Sequence, residues 1–232
     1  MKTTNKKYFK FILTIIIFFS GSLLRMIPAY IFNISENNIT PYQSILLTLF
    51  SNSIVTIIFI ILHLDDLKKD VKEFKNNYSI IIDKAFQIWV IGLIFMAGFN
   101  ILINYFSPNK IANNEEAIRN MISINPYIML INTALFAPVI EEITFRKSFR
   151  DVFGNTIIFI IISGIVFGSL HVITSVQSVF DYLYLLPYCS LGIAFSYMYY
   201  KTNNIFAPIF MHFIHNLIIT IMNILFLGMI IC

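Results

Sequence analysis

Long apolar stretches, separated by shorter polar segments, recur along the whole chain. Most are close to 20 residues, the length a helix needs to cross the hydrocarbon core of a bilayer. Apolar positions run continuously and do not alternate with polar ones, which favours helices over a transmembrane barrel. The pattern predicts an all-α fold, a polytopic bundle of seven transmembrane spans at about 9–32, 42–64, 84–106, 127–149, 155–174, 181–200 and 204–230. The last stretch is long enough to be tilted or broken, which leaves an eighth short span open.

Composition agrees with a membrane protein. Of the 232 residues, 58% are hydrophobic and 12% are charged, with a mean hydropathy of +0.79. A soluble domain of this length carries about a quarter charged residues. The longest polar segments, 65–78 and 107–126, are predicted to be loops, and no soluble domain is expected. We divide the chain into an N-terminal unit of three transmembrane helices, 1–126, and a second unit, 127–232, which carries the motifs described below.

Basic residues fall mainly in alternate loops, which is a topology signal in membrane proteins. The set of loops that includes the N-terminus holds thirteen of them: Lys2, Lys6, Lys7, Lys10, Lys68, Lys69, Lys72, Lys75, Lys84, Arg146, Lys147, Arg150 and Lys201. The opposite set holds only Lys110 and Arg119. This asymmetry predicts a cytoplasmic N-terminus and, with seven spans, an external Cys232. The basic residues form no face interleaved with aromatic residues, so no nucleic-acid partner is expected.

The N-terminal segment begins like a signal peptide, with lysines before an apolar run. No small-x-small cleavage site follows and the run continues to Phe32, so we expect a retained first helix. The abundance of Ile, Asn, Lys and Phe suggests an AT-rich bacterial genome. We therefore expect a multi-pass protein of the bacterial plasma membrane, in contact with lipid, whose oligomeric state the sequence leaves open.

Polar residues form three clusters inside strongly apolar stretches: Glu141, Glu142 and Arg146; Phe167 and His171; and His212, His215 and Asn216. A charge at mid-bilayer costs roughly 2.5–3.5 kcal/mol on insertion scales, so such residues are rare without a function. Each cluster alone also has an ordinary explanation. These are a helix end whose charges face water, a hydrogen-bonded packing histidine, and a His/Asn pair that joins helices.

The two adjacent glutamates are predicted to have different surroundings. On a helix Glu142 and Arg146 are i,i+4 neighbours with the acid first, the favourable order for an ion pair. Glu141 lies about 100° further round the helix and cannot share Arg146 equally. One carboxylate thus has a built-in counter-charge and the other is freer, as expected when one of them acts as a base.

Depth along the helices links the three clusters. At 1.5 Å per residue, Glu141 lies roughly 12–15 Å from the cytoplasmic end of its helix, and His212 and Asn216 lie roughly 12–18 Å in. His171 lies roughly 24 Å in before any tilt. We therefore expect three helices to bring polar groups to a similar level, nearer the cytoplasmic side.

The chemistry of these groups suits peptide hydrolysis. A carboxylate can take a proton from water, an imidazole can orient that water, and His and Asn side chains can donate to a developing oxyanion. The set also matches the ligands of some catalytic zinc sites; if a divalent metal is used, its ligands would be Glu141, His171 and His212. The helical H-E-x-x-H motif is absent, so a metal-free mechanism is equally open.

The three motifs together resemble a known family. Glu-Glu-x-x-x-Arg, Phe-x-x-x-His and His-x-x-x-Asn, in this order on successive membrane helices, are similar to the CAAX prenyl protease and bacteriocin-processing (CPBP, or Abi) intramembrane proteases. The resemblance covers roughly residues 127–220. It implies a helical membrane endopeptidase with a cavity that opens to the cytoplasm; some members are described as metalloproteases, and a glutamate mechanism without metal is also proposed.

The resemblance also implies roles for individual residues. Glu141 is similar to the water-activating glutamate, His171 to the histidine that assists it, and His212 with Asn216 to the oxyanion-stabilising pair. Glu142, Arg146 and Phe167 fall at supporting positions, and His215 has no family role. Lys147 departs from the family, in which many relatives carry a small residue at that point.

Several functions stay open at this stage. The leading hypothesis is cleavage of a peptide or protein with a membrane-associated segment, in maturation of a bacteriocin- or pheromone-type peptide or in self-immunity. A non-catalytic immunity or scaffold protein could use the same fold to sequester a peptide. A carrier could also place Glu, Arg and His within the membrane, although the sequence shows no paired broken helices or repeat halves.

Overall fold

The structure, a computed structural model, describes residues 2–35, 37–107 and 111–231. Within these ranges the regular structure is helical. Cys232, which the topology prediction placed outside the cell, lies beyond the described residues. The α-helices are α1 (Lys2–Ser20), α2 (Met26–Ile31), α3 (Pro41–Leu62), α4 (Leu64–Phe106), α5 (Asn113–Ile124), α6 (Pro126–Leu130), α7 (Ala137–Glu141), α8 (Phe149–Phe153), α9 (Ile157–Ile173), α10 (Leu185–Thr202) and α11 (Phe206–Ile231).

The predicted membrane-spanning bundle is confirmed. Six described segments are long and apolar enough to cross a membrane: Asn5–Ile31, Pro41–Leu62, Leu64–Phe106, Pro126–Phe153, Val179–Thr202 and Phe206–Phe226. The apolar helix α9, with 17 residues, falls just short of that length and corresponds to the fifth predicted span. The described part of the last stretch is one helix, Phe206–Ile231, so it holds no eighth span.

Both polar segments that were predicted to be loops contain helix, so that prediction was wrong. Residues 65–78 form the first turns of α4, a 43-residue helix with one non-helical residue at Asn77. Asp70 fixes this part against the start of α11, because its carbonyl accepts from Asn204 at 2.7 Å and its carboxylate accepts from the Ile205 amide at 3.2 Å. These contacts join residues more than 130 positions apart, so local polarity does not reveal them.

The second misassigned segment holds α5. This short helix is amphipathic: Ile122 is buried, whereas Glu116 and Asn120 are exposed. Asn113, its first residue, donates from its side chain to the Ser175 carbonyl at 2.6 Å, which ties α5 to the segment after α9. The polar face of α5 led to the prediction of a loop, and its buried face is seen only in the packed structure.

The segment Pro126–Phe153, hereafter the motif helix, carries the first polar cluster. In it α6, α7 and α8 alternate with two π-helical segments, Ile131–Phe136 and Glu142–Ser148. Such wider turns are rare and are frequent at functional sites. All seven side chains of the second π-helical segment are buried. Gly154, with φ of 70°, ends the helix in a conformation that favours glycine.

Helix α10 packs closely against both α9 and α4. At Gly168 of α9, a Cβ atom would lie 2.6 Å from the backbone nitrogen of Cys189, so only glycine allows this approach. Small residues at such contacts are how membrane helices come close together. Because the two helices are this close, Phe167 and His171 of α9 lie against α10.

The chain order gives the bundle two ends. One end, hereafter the basic end, holds the start of α1, the α3–α4 junction and the turns at 153–157 and 202–206. Ion pairs from Asp66 to Lys10 at 3.0 Å and to Lys147 at 3.3 Å join three of these elements there. The other end, hereafter the α5 end, holds α5 and the segment 174–184.

Candidate active site

Glu142 is the centre of a buried polar group on the motif helix. Its Oε2 lies 3.1 Å from Arg146 Nε, so the predicted i,i+4 pair is present. Its Oε1 accepts a hydrogen bond from His212 Nδ1 on α11 at 2.8 Å. Glu142 and Arg146 are fully buried and His212 is 4% exposed. A buried charge is tolerated when it is paired and hydrogen-bonded, and here two neighbours divide the two oxygens of one carboxylate.

Arg146 is held by aromatic rings as well as by charge. Its guanidinium carbon lies 4.3 Å from the Phe167 ring centroid and 5.6 Å from that of Phe195. Its Nη2 donates to the Gly192 carbonyl at 3.1 Å. Phe195 also stacks on His212, with centroids 4.8 Å apart. The planar guanidinium suits this stacked site, so Arg146 joins the motif helix, α9 and α10 around His212.

Glu141 faces the cavity, whereas Glu142 does not. Glu141 lines the cavity described below, and its side chain keeps 20% of its exposure. Its Oε2 lies 3.7 Å from His212 Nε2, too far for a direct hydrogen bond. A water molecule beside both atoms can hydrogen-bond to each. The two glutamates therefore have the different surroundings that their spacing predicted.

His171 has its tautomer fixed by the backbone. Its Nδ1 lies 2.9 Å from the Phe167 carbonyl, and because a carbonyl only accepts, Nδ1 carries the proton. A neutral His171 then presents the lone pair of Nε2 as an acceptor. The ring stacks on Tyr188 of α10, with centroids 5.1 Å apart and planes at 26°. The backbone thus sets the tautomer of this imidazole, and α10 sets its orientation.

Asn216 and the first π-helical segment are joined by a hydrogen bond. The Nδ2 atom of Asn216 donates to the Thr133 carbonyl at 2.8 Å. An amide has two N–H donors and one acceptor, so this bond uses one donor and holds the group in place. Thr133 also contacts Thr220 on α11 through their hydroxyls at 3.0 Å. The π-helical turn and α11 together position the amide.

The predicted residues share one cavity. Glu141, Phe167, His171, His212, His215 and Asn216 line it, and the supporting residues Glu142 and Arg146 lie behind His212 in the protein interior. At the other side its wall includes Asn114 and Glu115 of α5, Tyr188 and Asn223. The structure therefore brings the three sequence clusters together, and the roles of the individual residues stay predictions.

The cavity extends towards the α5 end of the bundle. The α5 residues Asn114 and Glu115 lie at the α5 end, opposite the end with the N-terminus and most basic loops. The cytoplasmic N-terminus and the cytoplasmic opening that the resemblance implies both stay predictions.

The predicted metal ligands have suitable donor types but do not converge. Among the described residues, the one group of three whose ligand atoms lie within 4.8 Å of one another is His63, Asp66 and Asp151, at the basic end. There Lys147 Nζ already lies 2.6 Å from Asp151 and 3.3 Å from Asp66. The group holds none of the predicted ligands Glu141, His171 and His212, so no step of the mechanism below passes through a metal.

Sequence reasoning missed several residues that build the site. Tyr188, Thr133 and Gly192 act through contacts between helices, which leave no local pattern. Gly164 and Gly168 did leave a signal, because glycines four residues apart are a known motif for helix contact in membranes. That motif predicts close packing of the helix that carries His171.

The comparisons with known proteins agree with the motifs. Residues 123–218 match the family model of type II CAAX prenyl endopeptidase Rce1-like proteins. The chain is 31% identical over 144 residues to "Putative membrane peptidase YdiL" of Bacillus subtilis, covering 58% of this chain and 55% of that protein. It is 26% identical over 148 residues to "UPF0177 protein YaiH" of Lactococcus lactis, covering 62% and 59%. No solved structure gives a significant match.

These matches agree with the resemblance carried by the three motifs, because the matched segment 123–218 contains all of them. A further relative, an "Uncharacterized protein" of Mycoplasma capricolum, is 28% identical over 179 residues, covering 72% of this chain and 53% of that protein. The chain matches between 53% and 59% of the length of these relatives.

Proposed function

We propose that the protein is a membrane endopeptidase in which Glu141 activates water for attack on a peptide bond. The observation that carries this proposal is the separation of the two carboxylates. Glu141 lines the cavity, while Glu142 is withdrawn into contacts with Arg146 and His212. A general base must reach the proton it abstracts, directly or through one water. Glu141 meets that condition, and Glu142 serves to hold His212.

In this mechanism Glu141 takes a proton from the attacking water. The Nε2 lone pair of His171 accepts the second hydrogen of that water and so orients it. His212 and Asn216 donate to the oxyanion that forms on the scissile carbonyl. Glu141 then returns the proton to the leaving amine, which balances the hydrolysis without a covalent intermediate.

Charge balance supports the donor role of His212. Glu141 and Glu142 bring two negative charges, and Arg146 brings one positive charge. His212 lies between the two carboxylates, which favours donation from both of its ring nitrogens. Its Nδ1 donates to Glu142 at 2.8 Å, and its Nε2 lies on the cavity side, 3.7 Å from Glu141 Oε2.

The test is peptide cleavage by the purified protein in detergent, using leader-bearing peptides of the bacteriocin and pheromone type. We expect Glu141→Gln to lower the rate by about 10²–10⁴-fold, the usual contribution of a general base. Glu116→Gln makes the same change at an exposed position of α5 and should leave the rate unaltered. Metal analysis of the same samples decides whether a divalent ion takes part.

The rival functions give different results in these assays. An immunity or scaffold protein would keep its function in cells that carry Glu141→Gln, and the purified protein would cleave nothing. A carrier would show liposome flux that persists in that variant. Full cleavage activity in Glu141→Gln would contradict the proposed role of this carboxylate.

A further inference from the structure

The catalytic cavity is closed towards the basic end. Beneath His212 lie Arg146, Phe195 and Met211, which are 0%, 0% and 2% exposed. Glu142 is fully buried at the same level and uses both oxygens in contacts with Arg146 and His212. These packed side chains close the floor of the cavity, so a ligand cannot enter from the basic end.

The opposite side of the cavity continues into a groove. The groove runs between α4, α5, α10 and α11, and it shares Glu115, Tyr188, Leu191, His215 and Ile219 with the catalytic cavity. Further out it is lined by Asn100 and Asn104 near the end of α4 and by Arg119 of α5. The path therefore runs from Glu141 to the α5 end of the bundle.

The lining of this path suits a peptide backbone. Amide side chains at Asn100 and Asn114 carry donors and acceptors of the kind that an extended chain needs. The charges at the mouth are balanced, because Arg119 Nε lies 3.0 Å from Glu115 Oε1, and Asn223 donates to the same oxygen at 3.3 Å. A neutral, hydrogen-bonding rim favours a peptide over a strongly charged ligand.

The orientation of the bundle decides which compartment this mouth faces. The loops at the basic end carry most of the basic residues of the chain, whereas α5 at the opposite end carries Arg119 alone. Such an excess marks the cytoplasmic side of a membrane protein. We therefore propose that the groove admits an extended peptide from the extracytoplasmic face. This rests on the proposed peptidase function for the identity of the ligand, and on charge and geometry alone for the direction.

Labelling of single cysteines with a membrane-impermeant maleimide tests the direction without needing catalysis. The background is Cys189→Ser with Cys232→Ser, and the cavity reporters are Ala137→Cys and, as a second position, Ile219→Cys. Two exposed positions mark the ends: Asn120→Cys on α5 and Lys72→Cys at the basic end. Intact cells should label both reporters and Asn120→Cys, whereas Lys72→Cys should react only after permeabilisation.

Each other pattern overturns the proposal. Labelling of Asn120→Cys only after permeabilisation would show that the bundle has the reverse orientation. Labelling of the reporters only from the side of Lys72→Cys would place the opening at the basic end, and labelling from neither side would show that the mouth is closed. Loss of the proposed peptidase activity alters none of these patterns, so the two proposals fail separately.

Discussion

At the scale of the residue, Arg146 shows how a cation is kept inside a membrane protein. It is fully buried, lies against two aromatic rings, pairs with Glu142 and donates to the Gly192 carbonyl. Lysine has one compact charge and cannot reproduce the planar, multi-donor contacts of a guanidinium. The positive charge therefore serves here as a fixed part of the scaffold around His212.

We expect Arg146→Lys to destabilise the protein strongly. Lysine keeps the charge but loses the planar stacking on Phe167 and the donation to the Gly192 carbonyl, and each buried polar group left without a partner costs about 1–3 kcal/mol. The matched control is Arg119→Lys, whose pair with Glu115 is partly exposed and worth about 0–1 kcal/mol. Thermal unfolding in detergent measures both. Equal stability of the two variants would show that the buried contacts of Arg146 carry no special weight.

At the scale of the element, the contact between α9 and α10 sets the position of His171. A Cβ at Gly164 would lie 2.7 Å from the backbone nitrogen of Ile193 and 2.8 Å from its Cα, so the backbone itself blocks a larger residue. Forcing the helices apart would shift His171 away from Tyr188, on which it stacks. Packing between two helices thus controls one imidazole in the cavity.

Gly164→Ala should therefore lower both stability and activity. Overpacking of a tight contact typically costs about 1–3 kcal/mol. Gly98→Ala is the matched control, because a Cβ there meets nothing within 4 Å and alanine has the higher helix propensity. We expect Gly98→Ala to keep or slightly raise thermal stability. A Gly164→Ala protein as stable and active as Gly98→Ala would contradict the close contact.

At the scale of the whole molecule, a polar network at the basic end joins α1 and α4 to the motif helix. His63 Nε2 and Thr14 Oγ1 lie 3.0 Å apart, and Lys147 pairs with Asp66 and Asp151. This explains the departure at Lys147 from the family pattern, because the ammonium is almost buried and has two carboxylate partners. Two ion pairs therefore stabilise the Lys147 side chain at this nearly buried position.

This network makes stability depend on pH. Burial, with the nearby charges of Lys147 and Lys10, lowers the pKa of His63 to about 4, against about 6.5 in an unfolded chain. Below about pH 6.5 His63 binds a proton in the unfolded state but not in the folded state. The free energy of unfolding therefore decreases as the pH falls from about 6.5 towards 4. His63→Gln removes the titration while a side-chain amide can still bond to Thr14.

We expect the thermal stability of the wild type in detergent to fall between about pH 7 and about pH 5. The fall should be smaller in His63→Gln. The matched comparison is His171→Gln, which replaces a histidine of the cavity, away from this network. The same pH dependence in the wild type and in His63→Gln would show that another group controls stability in this range.

Some features of the fold and site could be predicted because their causes are local. Hydropathy located the membrane-crossing segments, and the spacing of Glu142 and Arg146 predicted their ion pair. The helical nature of 65–78 and α5 could not be predicted, since their buried faces are narrow and are completed by distant residues such as Asn204 and Ser175. The partner of His212 was missed for the same reason.

The sequence by itself determined a helical membrane protein with carboxylate, imidazole and amide groups on three helices, because hydrophobicity and residue spacing act over short distances. Only the tertiary structure decided that Glu141 faces the cavity while Glu142 holds His212, since two π-helical turns and contacts between helices orient those side chains. The tertiary structure also brought α5 into the wall of the cavity, because that wall is built from helices far apart in the chain.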